Sequence, residues 1–498
     1  MNHLLKIVKE SGINFSGSLM GTILNYMILM VITRFLSPKE YGVFVLAQAI
    51  VYVSLVFVLL GTPRALDRFI PLFNEKGEYG KTKSLIFDIL RMALVTNLIV
   101  GASIFGFSKL ISLHVFNELR LESVLKIMIF TLPMLSINEI VSYAFIGYKE
   151  LRFQVYIQQL GLPLLKIMMA AICLTLGFGL MGWTWMYLFS VTGSSLIALY
   201  FSKKHIFAKF SSIPSVHVSF KNIFSYSWPL SFGLILIILY GQFDLLFLGY
   251  FRNSEEVAIY KIYLQVITIF SLVILSFAQI FKPTASELLG RNNLKEIKEI
   301  YQRISKWVFN INGIILSILL LFGPALIKIF FTRIYFREPL ALFILATGNF
   351  LSSSLGPTAR TLEAFGNTKL WLLNSILMIS FNGGLNFVLI PKYGLIGAAI
   401  SHSISLIIGG LAGLIEIYIL HGLQPFNLKH LKYILNLLLS SLITYLLITS
   451  FPEINLVRLI FLLVFFFCLI SMGLYLSKTL DEVDLNILKT IKTRLIPR

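Results

Sequence analysis

Residues 34–64 read RFLSPKEYGVFVLAQAIVYVSLVFVLLGTPR, and the segment from Tyr41 to Pro63 contains no charged residue. A helix that crosses the hydrocarbon core of a bilayer needs about 20 mostly apolar residues. The segment 41–63 therefore predicts a membrane-spanning helix. Polar residues bound it on both sides, with Lys39 and Glu40 before it and Arg64 after it.

Runs of the same kind continue in both directions along the chain. They occur at roughly 13–34, 41–63, 84–106, 121–147, 154–177, 183–201, 223–249, 257–280, 307–331, 338–358, 370–390, 394–418, 432–451 and 456–476. The chain is 57% hydrophobic and 13% charged, whereas soluble domains are about 45–50% apolar and about 25% charged. We therefore expect an all-α polytopic membrane protein with about 14 transmembrane helices.

The net charge of +19 raises the question of a nucleic-acid partner. The lysines and arginines lie mostly in short stretches between apolar runs, which is how a membrane protein fixes its orientation. Cys173 and Cys468 both lie inside apolar runs, so neither a disulfide framework nor a CxxC metal site is expected. We expect the lipid bilayer as a partner, and no nucleic acid, metal or cofactor.

The distribution of positive charge predicts the orientation. An even number of spans places both termini on one side of the membrane. The loops on that side carry about 28 lysines and arginines, against about 12 on the other side, and cytoplasmic loops carry the excess. The first apolar run lacks a small-residue cleavage site, so we interpret it as a retained helix. We expect a multi-pass protein of the cell (cytoplasmic) membrane with both termini cytoplasmic.

Short matches at nearly one offset indicate an internal repeat. At shifts of about 212 to 216 residues, Tyr41-Gly42-Val43-Phe44 matches Val257-Ala258-Ile259-Tyr260, Phe69-Ile70-Pro71 matches Phe281-Lys282-Pro283, and Gly179-Leu180-Met181-Gly182 matches Gly394-Leu395-Ile396-Gly397. An even number of helices in each half makes this a parallel repeat, a geometry suited to alternating access. The alternative is a duplication without consequence for transport.

The repeat predicts four segments. These are an N-terminal six-helix lobe at 1–201, a basic cytoplasmic linker at 202–222, a C-terminal six-helix lobe at 223–418, and a final helix pair with a cytoplasmic tail at 419–498.

Four segments carry a resemblance to a known family: Arg34 to Gly42; Gly61 with Arg64 and Arg68; Asp244 to Gly249, leading to Ala258-Ile259-Tyr260; and Tyr393 to Ala399. With these, the chain resembles the multidrug/oligosaccharidyl-lipid/polysaccharide exporter superfamily. Within it, the chain is similar to the polysaccharide transporters, or Wzx-type flippases. One departure is Ala258, where the family usually has glycine.

The resemblance implies a flippase that moves an undecaprenyl- or dolichyl-diphosphate-linked oligosaccharide from the cytoplasmic to the outer leaflet, alongside other polysaccharide-assembly enzymes. Lipid II flippases of the superfamily carry arginines in the first helix. Here that helix is uncharged from Ile13 to Thr33. A surface-polysaccharide unit is therefore favoured over a peptidoglycan precursor.

Ionisable residues inside the spans are the first candidates for a substrate site, because a charge at the bilayer centre costs about 2.5–3.5 kcal/mol on insertion scales. We expect Arg91, Lys166 and Lys261 to bind the diphosphate, and Asp88, Glu139 and Asp244 to serve in ion coupling or charge pairs. Bland alternatives stay open: an Asp88–Arg91 pair, a Lys166–Glu139 bridge, a Lys261 side chain that snorkels to the interface, and an Asp244 that belongs only to the general family pattern.

Cations at the cytoplasmic ends of the helices form a second candidate group. Arg64, Arg68, Lys282 and Arg360 are expected to form a headgroup entry site and inner gate, or otherwise to set the topology. The outer gate is expected around Arg34 and Tyr250.

Two other function classes remain. One is an ion-coupled multidrug exporter of the same superfamily. The other is a membrane glycosyltransferase or polysaccharide polymerase, which generally needs a large outer loop or clustered outer carboxylates. The sequence contains no GxxxxGK[ST], HExxH or GxSxG motif, and each of these would signal a specific chemistry. The seven histidines show no metal spacing, and His205, His217, His421 and His430 are expected in loops. We expect a transporter and not an enzyme.

Overall fold

The apolar runs form helices, since a segment inside a bilayer must satisfy every backbone N–H and C=O internally. The computed structural model describes residues 2–177, 179–210, 213–214, 216, 220–426, 429–450 and 455–476, and no strand occurs in these ranges. The α-helices are α1 (Asn2–Phe35), α2 (Pro38–Leu59), α3 (Pro63–Glu75), α4 (Tyr79–Leu110), α5 (Leu119–Met128), α6 (Thr131–Gly147), α7 (Leu151–Gln154), α8 (Leu162–Leu176), α9 (Leu180–His205), α10 (Phe220–Phe251), α11 (Ser254–Gly290), α12 (Leu294–Phe330), α13 (Pro339–Ser354), α14 (Thr358–Ala364), α15 (Thr368–His421), α16 (Lys429–Thr449) and α17 (Leu456–Leu476).

The number of membrane crossings follows from the lengths of these helices. Among the described residues, 11 helices are long and apolar enough to cross a bilayer, and the pair α5–α6, bent by 45°, makes a twelfth. The 54 residues of α15 far exceed the roughly 20 of one crossing, and this helix breaks at Gly394. α10 adds the apolar stretch Ile235–Phe251. Two arms of α15 together with α10 give fourteen crossings, so the predicted all-α polytopic membrane fold is confirmed.

The break in α15 depends on one glycine. Gly394 has φ 52° and ψ −127°, a conformation that residues with a Cβ rarely adopt. The backbone of Gly397 then lies directly against the carbonyl of Leu389, whereas in a continuous helix residues eight apart are about 12 Å from each other. The chain therefore reverses at Gly394, and α15 is a hairpin of two arms.

Local capping explains where α2 begins. The Ser37 hydroxyl accepts a hydrogen bond from the Glu40 N–H, and the Glu40 carboxylate accepts one from the Ser37 N–H. Pro38 occupies the first helical turn, where its missing N–H costs nothing. This reciprocal capping box separates α1 from α2 within three residues.

The order of helices recurs at the interval found in the sequence. The starting residues of three helix pairs lie about 216 residues apart: Pro38 and Ser254, Tyr79 and Leu294, Leu151 and Thr368. The recurrence of whole helices at this interval supports an internal repeat.

The contacts divide the chain into two compact units. Unit 1 comprises Met1–Val266 and Gly366–Gly409, and unit 2 comprises Ile267–Phe365 and Gly410–Arg498. The predicted lobes 1–201 and 223–418 follow the repeat instead, and their boundaries stay a prediction. Parts of the predicted linker (211–212, 215 and 217–219) and the tail 477–498 lie outside the described residues.

The final helix pair belongs to unit 2, where it packs on α12. One apolar cluster joins Phe309 of α12 to Tyr433 and Leu437 of α16 and to Phe466 and Ile470 of α17. A second cluster joins Phe322 of α12 to Leu459 and Leu462 of α17. Each contact buries a large side chain, worth about 1.5–3 kcal/mol, so α16 and α17 are anchored along the length of α12.

Candidate functional site

Lys166 lies in unit 1 on α8, three residues after Pro163. A π-helical segment, Val155–Gly161, precedes this helix, and such segments are frequent at functional sites. The Lys166 ammonium lies 5.1 Å from the centroid of the Tyr187 ring, within range of a cation–π interaction. The Tyr187 hydroxyl in turn lies 3.4 Å from the Tyr52 hydroxyl. The lysine is thus held by an aromatic face instead of a carboxylate.

Lys261 on α11 is the second cation of this region. Its ammonium is close enough to Lys166 for the two charges to repel each other. Both side chains are partly exposed, and neither has an acidic group within 4 Å among the described residues. Two cations without a counter-charge inside membrane-spanning helices are costly unless an anion joins them. This pair is therefore the strongest candidate for an anionic ligand.

Glu139 on α6 pairs with an amide. Its carboxylate accepts a hydrogen bond of 2.8 Å from the side chain of Gln158, which the π-helical segment carries. Arg64 attracts this carboxylate electrostatically. Among the described residues Lys166 forms no ion pair with Glu139, so the structure does not contain the bridge left open above.

Arg64 begins a line of polar groups that reaches both lysines. Its guanidinium lies 3.6 Å from the Asp67 carboxylate and 5.3 Å from the centroid of the Tyr143 ring. Glu139 acts electrostatically on Tyr52, which continues the line. We name it the polar track; its residues, all in unit 1, are Arg64, Glu139, Tyr52, Tyr187, Lys166 and Lys261. Arg68 lies exposed on α3, with its guanidinium 5.9 Å from the Phe69 ring centroid.

Asp88 and Arg91 form an ion pair on α4, with 3.8 Å between the guanidinium and the carboxylate. Ser84 donates a further hydrogen bond of 2.9 Å to Asp88. The Arg91 side chain is 80% exposed. The structure therefore brings these two residues together but leaves them apart from the polar track, and a substrate role for Arg91 stays a prediction.

Lys282 and Arg360 share one carboxylate in unit 2. Glu363 accepts hydrogen bonds of 2.8 Å from Lys282 and 2.9 Å from Arg360. Both cations are about half exposed, and exposed ion pairs contribute at most about 1 kcal/mol. The cluster keeps one net positive charge. Its convergence with Arg64 and Arg68 into an inner gate stays a prediction.

Asp244 on α10 is the most buried of the predicted charges, with 1% of its side chain exposed. Asn382 and Asn386 each donate a hydrogen bond of 2.8 Å to its Oδ1. Tyr260 donates one of 2.9 Å to Oδ2, and the Nδ1 of His402 lies 2.8 Å from the same oxygen. Sequence reasoning missed all four partners. His402 alone carried a signal, as a titratable residue within an apolar run.

The residues of the predicted outer gate lie at helix ends. Arg34 is exposed at the end of α1, and Tyr250 on α10 packs edge-on against Phe251 at 4.8 Å. The tightest packing in this region of unit 1 instead involves α2, where Gly42 faces the Ser254 backbone. A gate at Arg34 and Tyr250 stays a prediction.

Comparison with known proteins adds the family. The sequence profile of the family described as "Polysaccharide biosynthesis protein" matches residues 7–289, more than half of the chain, and that of the family "MatE" matches residues 229–390. A putative O-antigen transporter of Shigella flexneri is 23% identical over 428 residues, covering 82% of this chain and 96% of the relative.

Two solved structures share the fold. The lipid II flippase MurJ in an inward closed conformation superposes with a TM-score of 0.73 at 16% identity, over 94% of this chain and 98% of that one. An inward-facing multidrug resistance transporter of the MATE family superposes with a TM-score of 0.69 at 16% identity, over 82% of this chain and 97% of that one.

Proposed function

This chain belongs to the polysaccharide biosynthesis protein family, and from that premise we propose that it flips a polyprenyl-diphosphate-linked oligosaccharide. The cargo is a repeat unit of a surface polysaccharide, and it moves from the inner to the outer leaflet. The coarser description, a multi-pass membrane transporter of polysaccharide biosynthesis, follows from the family and from the helical fold.

The observation that carries the proposal is the pair Lys166 and Lys261. A diphosphate that links a lipid to a sugar carries about two negative charges, and stripping its water requires cationic donors in return. The two lysines lack acidic partners among the described residues, so their donors are available for such a group. The binding of one anion between two mutually repelling cations removes an unfavourable charge at the same time.

The polar track offers the headgroup a path to this pair. It begins at Arg64 on α3 and reaches Lys166 through tyrosine and glutamate side chains. Arg68, Lys282 and Arg360 are proposed to attract the headgroup to the cytoplasmic entrance. Alternating access then requires that the bound diphosphate interact differently with the two states of the carrier. The polyprenyl tail stays in the bilayer throughout.

Relatives support the class of cargo. The Shigella flexneri relative is described as a putative O-antigen transporter, and the structural relative is a lipid II flippase. Both descriptions name a glycan or glycolipid that crosses a membrane. A capsular polysaccharide biosynthesis protein of Staphylococcus aureus is also 23% identical over 423 residues.

The test is leaflet translocation in proteoliposomes that contain the purified full-length protein. The probe is a fluorescent polyprenyl-diphosphate-linked N-acetylhexosamine whose outer-leaflet population is quenched by an impermeant reductant. We expect wild-type protein to flip the probe, and Lys166→Ala and Lys261→Ala to slow it at least tenfold, about 1.4 kcal/mol or more.

The matched control is Lys328→Ala. Lys328 also lies near a helix end, 4.9 Å from the centroid of the Phe336 ring, but outside the polar track. Its replacement should change the rate less than twofold. Full activity in both Lys166→Ala and Lys261→Ala would overturn the site, and no flipping by wild-type protein of any diphosphate-linked probe would overturn the function.

A multidrug exporter is the second candidate, because residues 229–390 match the MatE family. Such a carrier would move lipophilic cations. The two unpaired lysines disfavour a cationic cargo at the polar track. Energised vesicles containing the protein should therefore fail to accumulate or expel ethidium, and ethidium transport that depends on Asp244 or Glu139 would favour this candidate instead.

A further inference from the structure

The environment of Asp244 supports a role that none of the resemblances to known proteins assigns. Four donors from two helices, α11 and α15, converge on one carboxylate that is 1% exposed. Tyr260 and two asparagines contribute neutral donors, and His402 contributes the titratable group. We propose that Asp244 and His402 together form a proton-binding site, which takes up one proton and releases it in each transport cycle. The coupling part of this inference rests on the proposed flippase function.

The charge of the pair explains why proton binding matters. With a protonated imidazole, the ionised carboxylate and the imidazolium carry no net charge. With a neutral imidazole, one negative charge remains buried inside the membrane-spanning helices, supported only by neutral donors. A buried uncompensated charge is strongly unfavourable. The site therefore retains its proton while it is closed and releases it when the surrounding helices rearrange or admit water.

His402 has one nitrogen available for proton exchange. Its Nδ1 faces Asp244, and among the described residues no protein group bonds to its Nε2. Polar groups extend from this point along α15 and α10. Tyr240 donates a hydrogen bond of 2.9 Å to the His402 carbonyl, and Ser405 donates one of 3.3 Å to the Tyr240 hydroxyl. The imidazole thus lies at the start of a short hydroxyl path and not in a sealed apolar core.

The other titratable groups that face the pair are two tyrosines. Tyr240 lies on α10 with its ring centroid 5.0 Å from that of His402, and Tyr260 lies on α11. α15 contributes only His402 and the two asparagines. Lys261 follows Tyr260 in sequence but forms no ion pair with Asp244 among the described residues. No fixed cation therefore competes with His402 for the carboxylate.

The location of the site ties it to conformational change. Asn382 and Asn386 lie on the first arm of the α15 hairpin, and His402 lies on the second arm. Asp244 and Tyr260 lie on α10 and α11, on either side of the three-residue connection at Arg252–Asn253. Loss of the proton weakens the attraction between α10 and the second arm while the asparagines continue to hold the first arm. Protonation thus biases how these helices pack, as a coupling ion must.

Direct proton binding is the first test. Purified full-length protein in unbuffered detergent solution is titrated from about pH 8.5 to pH 5, and the bound protons are counted for wild type, Asp244→Asn, His402→Gln and the double variant. Each single variant should bind one proton fewer than wild type, and the double variant should lose the same single proton, since the two residues act as one site. Additive losses, or no loss in either variant, would overturn the proposal.

Folding is controlled with the same samples. Asp244→Asn preserves the shape of the side chain, and both variants are compared with wild type by thermal unfolding and by elution volume. Asn97→Asp provides a matched case of a new carboxylate in a buried polar position of unit 1, where Asn97 bonds Ser136. It should add no proton that depends on His402. A His402-dependent proton in that variant would contradict a site specific to Asp244.

Coupling is the second test, performed in the translocation assay above. An acidic outer side should accelerate outward flipping by wild type several-fold, whereas Asp244→Asn and His402→Gln should flip at rates that do not respond to the pH gradient. A sodium gradient provides the competing arm, because the buried Oδ1 of Asn386 has no donor and could instead accept a cation. Acceleration by sodium and not by protons would overturn proton coupling.

The two assays separate the failures. If wild-type protein flips no probe, the proposed function fails, but the proton count still decides whether Asp244 and His402 bind a proton. If flipping occurs and ignores every pH gradient, the coupling fails although the flippase function stands.

Discussion

Gly42 faces the backbone carbonyl of Ser254 with no room for a methyl group between them. Gly42 lies in the first turn of α2, and Ser254 is the first residue of α11, so the beginnings of two repeat-related helices touch backbone to backbone. The nearby Gly249 similarly accommodates the side chain of Leu46. Close packing at this point holds α2 against the junction of α10 and α11.

The Gly42–Ser254 contact predicts the effect of a methyl group. Gly42→Ala should separate the two backbones at a cost of about 1–3 kcal/mol, because a carbonyl cannot move aside as a flexible side chain can. The measurement is the rate of maleimide labelling at Ser254→Cys in a background without Cys173 and Cys468, and this rate should rise. Gly106→Ala, at a helical site with nothing within 4 Å, is the control and should leave labelling unchanged.

The reversal at Gly394 yields a second prediction. An added Cβ would strain the backbone at φ 52° and would lie 2.6 Å from the Glu256 carboxylate and 2.9 Å from Arg252. Gly394→Ala should therefore lower the thermal unfolding midpoint, by at least the roughly 1–2 kcal/mol of a left-handed residue. Gly384→Ala on the same helix meets nothing within 4 Å and should not. Equal midpoints for the two variants would contradict this account of the hairpin.

The carboxylate of Glu363 predicts a salt-dependent effect on substrate capture. Glu363→Gln leaves Lys282 and Arg360 without their shared counter-charge, so the cluster should attract a diphosphate headgroup more strongly. We expect KM for the fluorescent probe to fall a few-fold at low salt and to return to the wild-type value near 0.5 M salt, where screening acts within about 4 Å. Glu287→Gln makes the same charge change beside the exposed Arg291. An equal effect there would mean that net charge alone is responsible.

Arg91 and Lys166 predict unequal losses. Arg91 is exposed and paired with Asp88, whereas Lys166 has only a tyrosine ring and a second cation beside it. We expect Arg91→Ala to reduce flipping less than about twofold, since exposed pairs contribute little, and Lys166→Ala to reduce it at least tenfold. A loss in Arg91→Ala as large as in Lys166→Ala would instead assign Arg91 to the headgroup.

The orientation of the chain is a further prediction. Fourteen crossings and the charge bias of the loops place both termini in the cytoplasm. A single cysteine introduced before α1 and another after α17 should react with an impermeant maleimide only when the membrane is opened. Labelling of either one in intact cells would reverse or break the predicted topology.

The helices were predictable from the sequence because their signal is local. A run such as 41–63 announces its own helix by length and lack of charge, and Ser37 with Glu40 marks its start. The merging of two predicted spans into α15 was not predictable in the same way. It depends on the backbone angles of Gly394, which the sequence GLIG suggests only as a break.

The partners within the site could not be predicted, because they are distant in sequence. Asp244 is 138, 142 and 158 residues away from Asn382, Asn386 and His402, and no spacing rule connects them. Lys166 and Glu139 are both charged and lie near each other in the chain, yet an amide and an aromatic ring serve as their partners. The rule that titratable residues in spans have functions applied to His402 as well as to Asp244, and would have identified it.

The distance in sequence between Asp244 and the hairpin has a consequence for biosynthesis. The ribosome delivers α10 to the membrane well before either arm of α15 exists, so Asp244 waits there without its histidine and asparagines. Until they arrive, the nascent chain holds a carboxylate in lipid at a cost of about 2.5–3.5 kcal/mol. Because the hairpin turns within a few residues, its two arms enter together and supply three partners at once. Chains truncated before Gly366 should therefore be recognised by membrane quality-control proteases, and Asp244→Asn should lengthen the lifetime of such truncated chains.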